Sequence, residues 1–197
     1  LANNAEWFPD ETPADWMEDA YASLNRSLEL DPNDPEAHRI MGAVKLLIEG
    51  DMETAIFHHQ KAIEICPSDT YHIARYAILL CYLGKSDEGL LEIKRAMRLD
   101  PFCSDILFEA QGLCLYWLDE PSDALASFKK MQIDSITGLF YQALCYQVLK
   151  DTNNASAFLN MAISESGMNV ERFVSTQLFE NEDTKRNLTK SLSTIAD

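Results

Sequence analysis

Small and apolar residues return along the chain with an almost constant step. One track is Ala20, Ala55, Gly89, Ala124 and Ala155; a second is Leu24, His59, Ile93, Phe128 and Leu159; a third is Gly42, Ala77, Gly112 and Ala143. Pro32, Pro67 and Pro101 keep the same beat. The steps are 34 or 35 residues, with one of 31 between the fourth and fifth units. A period of this size marks stacked helix pairs, each burying its apolar face against the next.

The elements follow from the stops between the apolar stretches. Thr12 predicts an N-cap with Pro13 in the first helical position, opening a helix that closes at Leu30 ahead of Asp31-Pro32, because a residue before proline is pushed out of the α region. Asp34-Pro35 restarts the pattern to about Ile48, and Gly50-Asp51 turns the chain into a helix reaching Cys66-Pro67. Later helices are predicted over 69–83, 86–99, 104–118, 120–131, 135–149 and 151–166. Lys130 to Asp134 replaces the Asp-Pro ending at the short step, which predicts a tightened connection. Helices around 169–180 and 183–195 break the period and read as a capping extension. The predicted organisation is a loose acidic lead-in over 1–12, a repeat array over 13–166 and a helical tail over 167–197.

Glycine and alanine recur because two helices of a pair approach closely only where both contact positions are small. Gly42, Ala77, Gly112 and Ala143 are expected to face Ala55, Gly89, Ala124 and Ala155, while Leu24, Ile93, Phe128 and Leu159 fill the space between successive pairs. A glycine inside a helix costs roughly 1 kcal/mol against alanine, so Gly89 implies packing that offsets it.

Composition narrows the function. With 47% hydrophobic residues in 197, the chain can bury a sizeable core. Its net charge is −16, and residues 1 to 36 contain ten acids against Arg26 alone. Such a surface repels phosphate backbones and anionic lipid head groups, which argues against nucleic acid or membrane as ligand and favours a basic partner. No apolar run approaches the roughly 18 residues of a membrane span, and none reads as an export signal, so a cytoplasmic location is expected. The chain starts at Leu1 rather than Met, which reads as a piece of a longer protein.

The residues offer little to catalysis. Cys66, Cys81, Cys103, Cys114 and Cys145 form no Cys-x-x-Cys pair and read as structural thiols in a reducing compartment. His58 and His59 point about 100° apart on a helix and do not chelate as a pair four residues apart would. His38 and His72 open helices, where polar contacts to helix ends are ordinary. There is no phosphate loop, His-Glu-x-x-His or Gly-x-Ser-x-Gly, and the acidic run Glu6, Asp10, Glu11, Asp15, Glu18 and Asp19 reads as a solvated face. No catalytic residue, metal site or cofactor is expected.

With its small residues, alanine track and Asp-Pro closures Asp31-Pro32 and Asp100-Pro101, the chain resembles the tetratricopeptide repeat (TPR) family from about Asp15 to Ser166. It departs where His38, Ile73, Phe108 and Leu139 replace the family's frequent Trp, in one extra residue before Gly50, and in a fifth unit without its closing proline. The resemblance implies an all-α, right-handed solenoid of about four and a half repeats. A narrower one, in Leu28 to Gly42, Ala96 to Phe102 and Phe179 to Leu188, is to the C-terminal repeat regions of bacterial class III adenylate/guanylate cyclases and related winged-helix regulators.

In this family the first helices line a concave groove that holds a protein or peptide. The inward register falls on Arg39, Ala43 and Leu46; on Tyr71, Ala74, Ile78 and Tyr82; on Glu109, Leu113, Tyr116 and Trp117; and on Phe140, Leu144 and Gln147. So apolar a surface suits an amphipathic helix or extended apolar peptide. Only Arg39 could serve a carboxylate clamp, which needs several cationic and amide donors. Three alternatives stand beside this reading. Tyr116, Trp117 and Phe140 fit an inter-repeat core equally well. The chain's own C-terminal helices could cover the last repeats through Phe173, Leu178, Phe179, Leu188 and Leu192. The array could also serve an architectural homodimer.

Overall fold

The computed structural model describes residues 16–179 and 181–196; the lead-in over 1–12 and the Thr12-Pro13 helix start lie outside them. Among the described residues there are eleven α-helices and no strand. They are α1 (Trp16–Leu30), α2 (Pro35–Val44), α3 (Met52–Ile65), α4 (Thr70–Tyr82), α5 (Ser86–Leu99), α6 (Asp105–Trp117), α7 (Pro121–Phe128), α8 (Ile136–Val148), α9 (Thr152–Ser166), α10 (Val170–Thr176) and α11 (Glu182–Ala196). The chain divides into two compact units, Leu1–Tyr76 and Ala77–Asp197, with the boundary inside α4.

In the first unit α1 packs on α2 and α2 on α3. Aspartates start the helices. The Asp34 carboxylate accepts from the amides of Glu36 and Ala37 and from the Ser27 hydroxyl at 2.7 Å, while Asp51 accepts from Thr54 and Asp69 from Tyr71 and His72. Each satisfies a donor that the first turn leaves unpaired. Leu24, Ala37, Met41 and Val44 form the core between α1 and α2. A Cβ on Gly42 would lie 2.9 Å from the His59 ring and 3.1 Å from the Ala55 carbonyl oxygen, so α2 and α3 touch where the tracks predicted.

The extra residue before Gly50 has a visible effect. The helix expected to run to Ile48 keeps α geometry only to Val44 and then widens into a π turn over Lys45–Glu49. A π turn holds one residue more than an α turn. Elsewhere the first helix of each pair closes with a bond spanning five residues, from Lys85 N to Leu80 O, Glu120 N to Leu115 O and Asp151 N to Tyr146 O. Here the matching bond, Asp51 N to Lys45 O, spans six. All four turns end on a left-handed residue: Gly50, Gly84, Asp119 and Lys150.

In the second unit α5 packs on α6, α6 on α7, α7 on α8 and α8 on α9. A Cβ on Gly89 would come 2.9 Å from the Ala77 carbonyl oxygen, and one on Gly112 would lie 2.6 Å from the Phe128 ring. Phe128 is fully buried against the glycine of its own helix pair, which corrects its expected place between successive pairs. Helix α7 stops at Phe128, three residues before the expected end. The short connection is pinned instead by Asp105, whose carboxylate accepts from the amides of Gln132 (2.9 Å) and Ile133 (3.1 Å).

Beyond α9 the chain folds back. α10 packs on α11, and α11 on α8 and α9. The helix expected over 169–180 ends at Thr176, and Gln177 is extended.

Candidate partner-binding surface

Two consecutive first helices, α4 and α6, end in aromatic residues, Tyr82 and Trp117. Phe179, on the stretch after α10, sits edge-on to both, with ring centroids 5.0 Å from Tyr82 and 4.7 Å from Trp117. One helix further on, Phe173 of α10 stacks on Phe140 of α8, with centroids 3.8 Å apart and ring planes 11° from parallel. Between them the buried Tyr141 hydroxyl donates to the Gln177 side-chain oxygen at 3.5 Å, and the Tyr141 ring meets Tyr116 edge-on at 5.1 Å. Burial drives the phenols of Tyr116 and Tyr141 above their ordinary pKa, because a phenolate there would lose its hydration. The aromatic cluster is therefore neutral as well as apolar.

Beside Phe179 lies a cavity of about 290 Å³. Tyr82, Trp117 and Phe179 form its aromatic wall, Ser86, Asp87, Asn181 and Thr184 its polar side, and Cys81 part of its lining. Asp87 belongs to the first turn of α5 and is exposed.

The predicted site residues divide by burial. Leu46, Ile78, Leu113, Phe140 and Leu144 are at most 8% exposed and belong to the core, not to an open groove. For Leu113, Phe140 and Leu144 the reason is coverage: α6 and α8 each have neighbours on several sides, and Thr137 to Cys145 of α8 are buried without a break. Tyr82, Glu109, Tyr116, Trp117 and Gln147 are partly exposed. In the first unit Arg39 and Tyr71 come together, the guanidinium lying 5.1 Å over the ring. Arg39 is itself buried and donates through Nε (2.8 Å) and Nη2 (2.5 Å) to the Glu36 carboxylate, which also lies 3.1 Å from His72 Nε2. The hydrogen bond from Arg39 holds the Glu36 carboxyl below its usual pKa. Engaged this way, the one cation of the predicted groove is not free to grip a peptide carboxylate.

The adjacent histidines part company. His58 Nδ1 meets His38 Nδ1 at 2.9 Å, and His38 Nε2 lies 3.1 Å from the Pro32 carbonyl. His59 is buried beside Gly42, and burial pushes its pKa down to about 3. Among the described residues, no group of three or more His, Cys, Asp or Glu side chains could hold a metal ion. Sequence reasoning missed Tyr141 and Asp87. The Phe140-Tyr141 doublet was the available signal for the first, whereas Asp87 becomes notable only once the cavity is seen.

No model of a known sequence family matches the chain. Solved structures do resemble it. PilW, a widely conserved type IV pilus biogenesis factor, gives a TM-score of 0.68 at 15% identity, covering 91% of this chain and 82% of its own. TTC0263, a thermophilic TPR protein of Thermus thermophilus, gives 0.66 at 20% identity over 81% of this chain and 88% of its own. YrrB, a TPR protein with an unusual peptide-binding site, gives 0.54 at 16% identity over 87% and 91%. The chain thus has the all-α fold of a TPR solenoid.

Proposed function

We propose that this chain holds a protein partner, taking a basic amphipathic segment on the aromatic surface of its last repeats. The cavity walled by Tyr82, Trp117 and Phe179 carries this reading, since an aromatic wall in a cavity also lined by the acidic Asp87 suits the aliphatic stem and cationic head of a lysine or arginine. The net charge of −16 favours the same class of partner. Tyr116, Glu109 and Gln147 extend the proposed surface, and the exposed Tyr71 is a separate proposed contact in the first unit. YrrB has a peptide-binding site on the same fold, which supports the general role. Five free thiols support a reducing, cytoplasmic setting, and among the described residues no helix is long and apolar enough to cross a membrane.

The test is titration with paired amphipathic peptides of equal length, one lysine-rich and one glutamate-rich. The basic peptide binds more tightly, weakens with added salt, and loses about tenfold in affinity on Trp117→Ala. Asp87→Asn, an exposed change, halves the salt dependence or more. Equal binding of both peptides, or binding indifferent to both variants, overturns the proposal.

A further inference from the structure

We infer that Cys81 and Cys114 form a thiol couple that a peroxide closes into a disulfide between α4 and α6. Their Sγ atoms are 3.2 Å apart. A disulfide needs about 2.05 Å, so closure asks two side chains to share a shift of about 1 Å. Both thiols are free and buried, Cys81 at 3% and Cys114 at 0% exposure.

The two sulfurs differ in access. Cys81 lines the cavity of about 290 Å³ beside Trp117 and Phe179. A peroxide is little larger than water, whose share of liquid volume is about 30 Å³, so it fits the cavity that Cys81 lines. Cys114 lies behind, facing Gly89, where an added Cβ would come 3.1 Å from its Sγ. The contact with Cys81 and burial both push the Cys114 thiol up, so Cys114 keeps its proton. The residue on the cavity, Cys81, is therefore the thiol oxidised first, and Cys114 is the one that resolves it.

The steps balance. Cys81 releases its proton to water, and its sulfur attacks a peroxide oxygen, breaking the O–O bond. The products are Cys81 sulfenic acid and hydroxide, which takes up that proton and becomes water. The Cys114 sulfur then attacks the sulfenic sulfur, the S–O bond breaks, and the departing hydroxide leaves as water with the Cys114 proton. Two thiols give up two electrons and one peroxide is reduced to two waters. The bond ties together the helix ends that carry Tyr82 and Trp117, so oxidation stiffens the walls around Phe179. This inference does not depend on the proposed partner.

The test is treatment of the full chain with hydrogen peroxide, alkylation of remaining thiols in denaturant, and mass mapping without reduction. The expected product is a Cys81–Cys114 linked peptide, two hydrogens lighter than the sum of its parts and reopened by dithiothreitol. In Cys114→Ser, dimedone traps Cys81 sulfenic acid at least tenfold more than in wild type. Links joining other cysteines, or oxidation of the partly exposed Cys66 and Cys103 while Cys81 and Cys114 stay alkylatable, overturn the inference.

Discussion

Gly42 in the first unit and Gly112 in the second occupy the same place in their repeats, yet each meets a different ring. Gly42 faces His59, an imidazole at 3% exposure whose Nδ1 has no hydrogen-bond partner, and Gly112 faces the fully buried phenyl of Phe128. The glycine provides the same close approach in both. What differs is the chemistry placed in the gap. A phenyl is indifferent to pH, whereas a buried imidazole must stay neutral, and its site weakens once the unfolded chain can take a proton that the folded one refuses. One architecture therefore yields one pH-insensitive helix pair and one that acid loosens.

The largest expected effect breaks the second pair. Phe128→Ala leaves a cavity under Gly112 and costs about 3–5 kcal/mol. Urea unfolding followed by tryptophan fluorescence measures it; a loss below about 1 kcal/mol would show that the ring is not the wedge of this pair. Next is His59→Phe, which gives the first pair the ring of the second. The folded pKa of His59 is about 3 against an ordinary 6.5, so its contribution is complete above about pH 6.5. It then falls by about 1.4 kcal/mol per pH unit as pH drops toward 3. Burial lowers His58 in the same direction, so the variant flattens the slope between pH 6.5 and 5 without abolishing it. The depressed carboxyls of Asp34 and Glu36 act only below the ordinary carboxylate range and leave that window clean. Hydrogen exchange across α2 and α3 at pH 7.5 and 5 reads the difference, and equal pH slopes in both proteins would remove His59 from the account.

The smallest effect concerns the turns. The first unit places Gly50 in the left-handed position, while the second has Asp119 and Lys150 in two of its turns, at φ 62° and 63°. An L side chain is strained there, so Lys150→Gly gains about 0.5–1 kcal/mol, visible as a raised thermal midpoint. No gain would mean that the lysine side chain makes a compensating contact.

The helix pairs were legible because close approach demands small residues at a fixed step, and aspartate and proline announce where helices begin and end. What escaped the sequence depends on contacts distant along the chain. Early termination of α7 follows from Asp105 capturing the amides of Gln132 and Ile133, and nothing local in Lys129 to Met131 signals it. The extended Gln177 lies within a stretch free of glycine and proline, and only its neighbours, Phe173 on Phe140 and Phe179 on Tyr82 and Trp117, explain why helix stops there. The expected inward register is mostly apolar in sequence, but burial of Phe140 and Leu144 depends on α8 being packed on by α7, α9 and α11. Cys81 and Cys114 lie 33 residues apart, close to one period, yet only the folded packing brings their sulfurs together.

The widened turn at Lys45–Glu49 has a consequence for how such chains change length. Adding one residue inside a helix rotates everything beyond it by about 100°, enough to swing a packed face into solvent. At this place the surplus is confined to five residues, and α3 still starts on its Asp51 cap with Ala55 and His59 turned toward Gly42. A gene encoding this segment can thus carry one surplus codon here as a change of local winding, leaving the contact of α3 with Gly42 in phase.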